Sequence, residues 1–161
     1  MKKAEKLLSV LRIVIGFVFL WAFFDKLFGL GFDTAPTKSW LSGTSPTAGF
    51  LKFGTHGFFS TFFQNLAGSV SVDILFMAGL FGVGIAFILG ISLRIAGYCG
   101  ALMVFLIYLS LFPPQHNPLI DEHVVYFFLF LLYAKTEIGR KISLYNWWKK
   151  TKLVKRFPIL K

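Results

Sequence analysis

The sequence contains little cysteine and few acidic residues. A single cysteine, Cys99, excludes an intrachain disulfide, a CxxC redox pair and a cysteine cluster for zinc or iron–sulfur ligation. Any electron-transfer chemistry therefore needs an electron carrier that is bound from outside the chain. Charged residues make up only 15% of the chain, whereas about 25% is typical of soluble domains. This shortage of charge argues against a soluble protein.

Apolar residues are correspondingly frequent. The chain is 56% hydrophobic and 19% aromatic, which predicts an integral membrane protein. Four segments are each close to the ~20 residues that cross about 30 Å of hydrocarbon. We expect an all-α, integral membrane four-helix bundle within residues 1–134, with spans at about 7–30, 72–91, 95–112 and 118–138.

The first span follows a basic N-terminus, as a signal peptide would. Its apolar region is too long for a signal peptide and no small-x-small cleavage site follows, so we expect a retained helix. Lys and Arg gather near both chain ends and at Arg94, whereas the loops 31–71 and 113–118 contain only Lys38 and Lys52. This asymmetry predicts that both termini are cytoplasmic (N-in/C-in) and that the two loops lie outside.

The segment 135–161 is a basic amphipathic tail. Trp147 and Trp148 suit the headgroup level, and the lysines suit anionic lipid, so we interpret the tail as an interfacial segment. We expect no nucleic-acid binding, because basic tracts of this kind usually bind membrane surfaces.

Spans two and three are joined by the short sequence SLR, which predicts a tight hairpin. Small residues in both spans would let the two helix backbones approach closely. A groove for a cofactor is the alternative interpretation of the same pattern. The small residues are Ala78, Gly82, Ala86 and Gly90 in span two, and Ala96, Gly97, Gly100 and Ala101 in span three.

The outer loop, residues 31–71, is rich in phenylalanine. Ser45 and Pro46 are a suitable N-cap and first residue for a short helix, and Gly54 and Gly57 are expected breaks. We expect one or two helices that lie in the interface or re-enter the membrane as a lid. A plain amphipathic anchor is an equally good interpretation. Apolar residues that fit one helical face are Phe58, Phe59, Phe62, Phe63 and Leu66.

Ionisable residues at membrane depth are costly and by default indicate function. Arg12 and Arg94 lie near the cytoplasmic ends of their spans, where long side chains reach the headgroups, so we assign them no function. The other ionisable groups gather near the outer ends of the spans. They are Asp25, Lys26, Asp73, His116, Asp121, Glu122 and His123.

Span four begins with a polar cluster. Asn117 and Pro118 fit an N-cap and a first helical position, which places the acids Asp121 and Glu122 near the positive end of the helix dipole. His123 lies about 18 Å from Lys135 along such a helix, below the outer surface. Helix ends do not explain a histidine at that depth. On this helix Glu122, His123, Tyr126 and Tyr133 share one face, and Asp121 points elsewhere.

A quinone site needs an apolar slot, a hydrogen-bond donor to a carbonyl and a proton route to water. His123, Tyr126 and Lys26 supply donors, Asp121 or Glu122 can relay protons, and the phenylalanine-rich loop would roof the slot. A structural ion pair of Lys26 with Asp121 or Glu122 is the alternative. We expect no metal, haem or flavin, since Asp121 and His123 diverge when both lie on one helix.

Three stretches together resemble the DoxX/DoxD family of small membrane proteins. They are FLWAFFDKLFGLGF in span one, GTSPTAGFL with MAGLFGVGIAFILGISLRIAG around span two, and NPLIDEHVVY in span four. The family pattern N-P-x-x-D-x-H-x-x-Y falls on Asn117, Pro118, Asp121, His123 and Tyr126. A second pattern, W-x-x-x-D-K, falls on Trp21, Asp25 and Lys26.

The resemblance implies a prokaryotic plasma-membrane subunit of a thiosulfate:quinone oxidoreductase. Quinone would be a diffusible substrate, and Lys26, aided by a protonated His123, would attract thiosulfate, a small anion. Asp25 and Trp21 would also belong to the substrate- or quinone-binding residues. No cysteine lies on the outer side, so two thiosulfates react directly or a second small membrane or extracytoplasmic subunit does the sulfur chemistry. The alternatives are a noncatalytic anchor or assembly subunit and, third, a small-molecule or lipid carrier; homo-oligomers are compatible with each.

Overall fold

Helices dominate the structure. The computed structural model describes residues 2–161; it is 68% helical, and no strand occurs among those residues. Four longer helices are α1 (Lys2–Phe28), α3 (Val70–Leu89), α4 (Leu93–Ser110) and α5 (Glu122–Lys135). Shorter helices are α2 (Ser60–Gln64) in the outer loop, and α6 (Tyr145–Trp148) and α7 (Lys152–Arg156) in the tail. The prediction of an all-α protein is confirmed.

Three helices are long and apolar enough to cross a membrane. They comprise Lys3–Phe28, Val70–Leu89 and Leu93–Ser110, which matches three of the predicted spans and indicates a membrane protein. Helix α5, at 14 residues, extends about 21 Å, less than a hydrocarbon core of about 30 Å. The fourth predicted span is therefore shorter as a helix than the segment 118–138.

The predicted start of this helix at Asn117 and Pro118 is wrong. The Asn117 side-chain oxygen instead accepts hydrogen bonds from the backbone N–H groups of Leu119 and Ile120, both at 3.0 Å, and closes a turn of its own. Asp121 has extended backbone angles and accepts the His123 N–H at 3.0 Å, so it is the N-cap of α5.

The longer helices pack in the order α1–α3–α4–α5, and two close approaches occur at glycines. A Cβ on Gly84 of α3 would lie 2.8 Å from the backbone nitrogen of Leu20 in α1. A Cβ on Gly97 of α4 would lie 2.7 Å from the carbonyl oxygen of Phe130 in α5. Gly82 meets nothing within 4 Å. The short connection between α3 and α4 is confirmed, but the prediction that their small residues pack mainly on each other is wrong.

The outer loop is ordered by Asp73 at the start of α3. Its carboxylate accepts hydrogen bonds from the hydroxyls of Ser45, at 2.8 Å, and Thr47, at 2.5 Å. The Ser45 hydroxyl oxygen also accepts the Ala48 N–H, so the predicted helical start at Ser45–Pro46 is confirmed. That segment ends in a π-helix, Phe50–Gly54.

Gly57 seats the loop on the segment after α4. Its φ is 76°, and an added Cβ would lie 1.9 Å from the Phe112 carbonyl oxygen, so only glycine fits. Backbone hydrogen bonds from His56 to Ser110 and from Phe58 to Phe112 hold the two segments together. The predicted breaks at Gly54 and Gly57 are therefore confirmed.

The tail packs on the opposite end of the longer helices. Arg12 is fully buried and donates to the backbone carbonyls of Gly139, Ile88 and Ile142. The prediction that Arg12 reaches outward to the headgroups is wrong, because the tail folds back and offers acceptors next to α1. Tyr133, also fully buried, donates its hydroxyl to the Leu8 carbonyl at 2.7 Å.

Candidate functional site

A polar cavity of about 350 Å³ opens at the outer-loop end of the helices. Its walls come from three stretches: the loop around Gly54 and His56, the segment between α4 and α5, and the first turn of α5. All three histidines of the chain, His56, His116 and His123, line it together with Asp121 and Glu122. No lysine or arginine is among its lining residues.

Asp121 and His123 form a dyad at the floor of this cavity. The Asp121 carboxylate lies 2.9 Å from His123 Nδ1, and both side chains are largely buried, at 14% and 19% exposed. The sequence-based expectation that Asp121 points away from His123 is wrong. It assumed that both residues lie on the helix, whereas Asp121 is the extended N-cap and folds its carboxylate back over the first turn.

Glu122 completes a group of three side chains. It is exposed, and its carboxylate lies near the dyad: one ligand atom each from Asp121, Glu122 and His123 are within 4.8 Å of one another. This is a spacing at which the three could hold a metal ion. The geometric reason for disfavouring a metal site, divergence of Asp121 and His123 along a helix, therefore does not hold.

An apolar groove adjoins the cavity at His123. It encloses about 130 Å³ between α4 and α5, and nearly all of its exposed surface is apolar. Its lining comprises Phe105, Tyr108, His123, Val124, Phe127 and Phe128. The Tyr108 hydroxyl already donates to the Leu119 carbonyl at 2.6 Å. His123 is thus the residue that belongs to both the polar cavity and the apolar groove.

Tyr126 lines neither space. It lies one turn below His123 and packs, half-buried, against the hydrophobic core. Tyr133, predicted on the same face, lies at the other end of the helix, where its hydroxyl donates to the Leu8 carbonyl. Of the four residues predicted to share one helical face, only Glu122 and His123 line the cavity.

The residues from span one also lie away from the cavity. Asp25 is buried and accepts the backbone N–H groups of Phe32 and Asp33, at 3.2 and 3.0 Å, which ties the loop to the end of α1. Trp21 packs edge-on against Phe32. Lys26 is half-buried and forms no ion pair with Asp121 or Glu122, so the structural ion pair offered by the sequence is not formed.

Sequence reasoning missed His56 and Tyr108, and it named His116 without connecting it to His123. His56 and His116 lie in different loops, and nothing in their spacing indicates that they share a cavity. One signal was available: all three histidines fall on the predicted outer side of the spans. Tyr108 could not be predicted as a site residue, because a tyrosine near a helix end usually indicates only the membrane interface.

Comparison with known proteins adds no relative. No family model, no curated protein and no solved structure matches the chain. The resemblance to the DoxX/DoxD family therefore rests on the sequence stretches given above.

Proposed function

We propose that α1, α3, α4 and α5 form a four-helix membrane bundle that serves as the membrane subunit of a quinone-linked oxidoreductase. The reaction proposed is oxidation of thiosulfate to tetrathionate at the outer membrane face, with quinone as electron acceptor. The observation that carries the proposal is the position of His123, which lines both an apolar groove and a polar cavity. A quinone needs both environments, because its ring and tail are apolar and its reduction consumes protons.

Electrons and protons balance as follows. Two thiosulfate ions join through a new S–S bond to give tetrathionate and release two electrons. The quinone takes up these two electrons and two protons to become a quinol. The quinone ring would lie in the groove beside Phe105 and Phe127, and one carbonyl would accept a hydrogen bond from His123.

Asp121 suits the role of orienting this histidine. The Asp121 carboxylate contacts Nδ1, which would fix the orientation of the imidazole and leave Nε2 to form the hydrogen bond with the quinone oxygen. Glu122, exposed at the mouth of the cavity, can pass replacement protons from water. Tyr126, which packs against the core, is assigned no contact with the quinone.

The test is thiosulfate-dependent reduction of a soluble quinone analogue by the purified protein. We expect His123→Ala to lower turnover by at least about a hundredfold, the lower end of the range for loss of a general acid. Tyr126→Phe, one turn along the same helix, should retain turnover, and Glu137→Gln in the tail serves as a second control. Unchanged turnover in well-folded His123→Ala would refute the site.

A noncatalytic assembly subunit is the second candidate function. It is favoured by the absence of Lys and Arg from the cavity lining, which leaves no permanent positive charge there for thiosulfate. Large apolar side chains of the outer loop are also exposed and suit a protein partner: Phe53 at 81%, Phe58 at 79% and Phe62 at 62%. Folded protein that binds the quinone analogue but shows no turnover, until a second subunit is added, would favour this function.

A further inference from the structure

The tail concentrates positive charge on a folded surface. Residues 136–161 contain eight Lys and Arg and one acidic residue, Glu137. This segment is docked on the bundle, since Leu144 donates its N–H to the Leu89 carbonyl and Ser92 donates its hydroxyl to the Leu160 carbonyl. Val154, 1% exposed, anchors α7. The backbone that carries these charges is therefore held against the longer helices.

Two of these cations converge on one aromatic ring. The Arg140 guanidinium carbon lies 4.0 Å from the centre of the Tyr145 ring, and Lys149 Nζ lies 5.4 Å from the same centre. Two like charges that share one ring repel each other, and the ring offsets only part of that cost. An anion that contacts both cations would reduce the repulsion.

The nearby carboxylate leaves the Arg140 charge incompletely satisfied. Glu137 accepts one hydrogen bond from Arg140 Nη1 at 2.7 Å, but its side chain is 79% exposed and so is weakened as an ion-pair partner by water. Arg140 Nε is buried and has no acceptor in the part of the chain that the structure describes. The guanidinium is thus held in place with one unused donor, and its side chain is 13% exposed. A guanidinium group is suited to phosphate oxygens.

The surroundings point to a lipid rather than a free anion. Large apolar side chains on the same tail are exposed beside the cations: Ile142 at 48%, Leu144 at 47% and Trp147 at 62%. The same end of the bundle carries the exposed Arg94 and Lys141. A ligand with a phosphate group and acyl chains satisfies both the cations and the apolar residues.

We infer that Arg140, Tyr145 and Lys149 form a binding site for the headgroup phosphate of an anionic phospholipid. The phosphate contacts both cations, and the acyl chains run along Ile142, Leu144 and Trp147. This site lies at the opposite end of the helices from the cavity and does not depend on the quinone function proposed above.

The experiment uses the full-length protein in a neutral detergent. Short-chain phosphatidylglycerol, short-chain phosphatidylcholine and inorganic phosphate are titrated separately, and binding is followed by native mass spectrometry and by the shift in melting temperature. Phosphatidylglycerol is expected to bind at least about tenfold more tightly than phosphatidylcholine, as for one charge-assisted hydrogen bond gained. Equal affinity for the two lipids, or equal affinity for phosphate and phosphatidylglycerol, would overturn the inference.

Matched variants localise the site. Lys149→Gln, on an exposed residue that does not threaten folding, should weaken phosphatidylglycerol binding about tenfold, and Arg140→Gln should do so at least as strongly. Lys155→Gln removes the same charge elsewhere in the tail, and Lys52→Gln removes a cation stacked on Phe53 at the other end. Both controls should retain binding. Equal loss in Lys149→Gln and Lys155→Gln would mean diffuse attraction to the tail and would contradict a defined site.

Discussion

The two ends of the longer helices differ in the surroundings of their ionisable side chains. At the tail end, Arg12 is fully buried and donates to three backbone carbonyls from two separate segments. At the outer-loop end, Asp121, Glu122 and His123 line an open cavity and retain unused hydrogen-bonding capacity. Charge alone therefore does not indicate a working site in this chain. We place the proposed site where charge borders an accessible space, because only there can a ligand reach it.

The largest effect is expected from removing the tail-end donor. Arg12→Met should lower the free energy of unfolding by about 3 kcal/mol, because it leaves three carbonyls without their charged donor. Denaturant unfolding in detergent measures the loss. Arg94→Met, on an exposed residue, is the control and should change stability by no more than about 0.5 kcal/mol. Equal effects would show that Arg12 does not hold the tail to the bundle.

The next largest effect on stability is expected from replacing a tightly packed glycine, compared with replacing an open one. Gly97→Ala adds a Cβ 2.7 Å from the Cβ of Ala134 and should cost about 1–3 kcal/mol of stability at the α4–α5 interface. Gly82→Ala adds the same atom to open space and should be neutral or stabilising, by up to about 1 kcal/mol. The reverse order would mean that α3 and α4, rather than α4 and α5, form the close contact.

Sequence patterns predicted the helices but not their partners. Apolar runs depend on local composition, so three spans and the helical start at Ser45 were predictable. The start of α5 was not, because Asn117 and Asp121 are both good N-caps. A tertiary contact favours the later start, because the Tyr108 hydroxyl donates to the Leu119 carbonyl at 2.6 Å and Leu119 lies outside the helix.

The site shows the same limit. His123 was found from its depth in an apolar segment, which is a local property. Its partner Asp121 was misplaced because the helix was started four residues too early, and the cavity shared with His56 and His116 depends on how two loops meet. Arg12 was misread for a similar reason, since its acceptors at Gly139 and Ile142 lie about 130 residues away along the chain.

Loosening the outer loop should have a smaller effect than the glycine clash. Asp73→Ala leaves the hydroxyls of Ser45 and Thr47 without their shared acceptor and should cost about 1–2 kcal/mol. Limited proteolysis should then cut within residues 45–57 faster than in the parent protein. Asp33→Ala removes an exposed carboxylate from the same loop and should leave the cleavage rate unchanged. Comparable cleavage in both variants would show that Asp73 does not order the loop.

The smallest change in stability is expected at Asp121. Asn is also a good N-cap, so Asp121→Asn should alter the free energy of unfolding by less than about 0.5 kcal/mol. It removes the negative charge from His123 Nδ1, and thiosulfate-dependent quinone reduction should fall by about tenfold. A large stability loss with unchanged turnover per folded molecule would make the dyad purely structural.

The most direct measurement of the central claim is photolabelling with an azidoquinone. The label should attach to the peptides of α4 and α5 that contain Phe105, Phe127 and Phe128, excess quinone should compete it away, and His123→Ala should reduce it. Saturable labelling of α1 around Trp21 instead, or labelling that excess quinone does not displace, would contradict the placement of quinone beside His123.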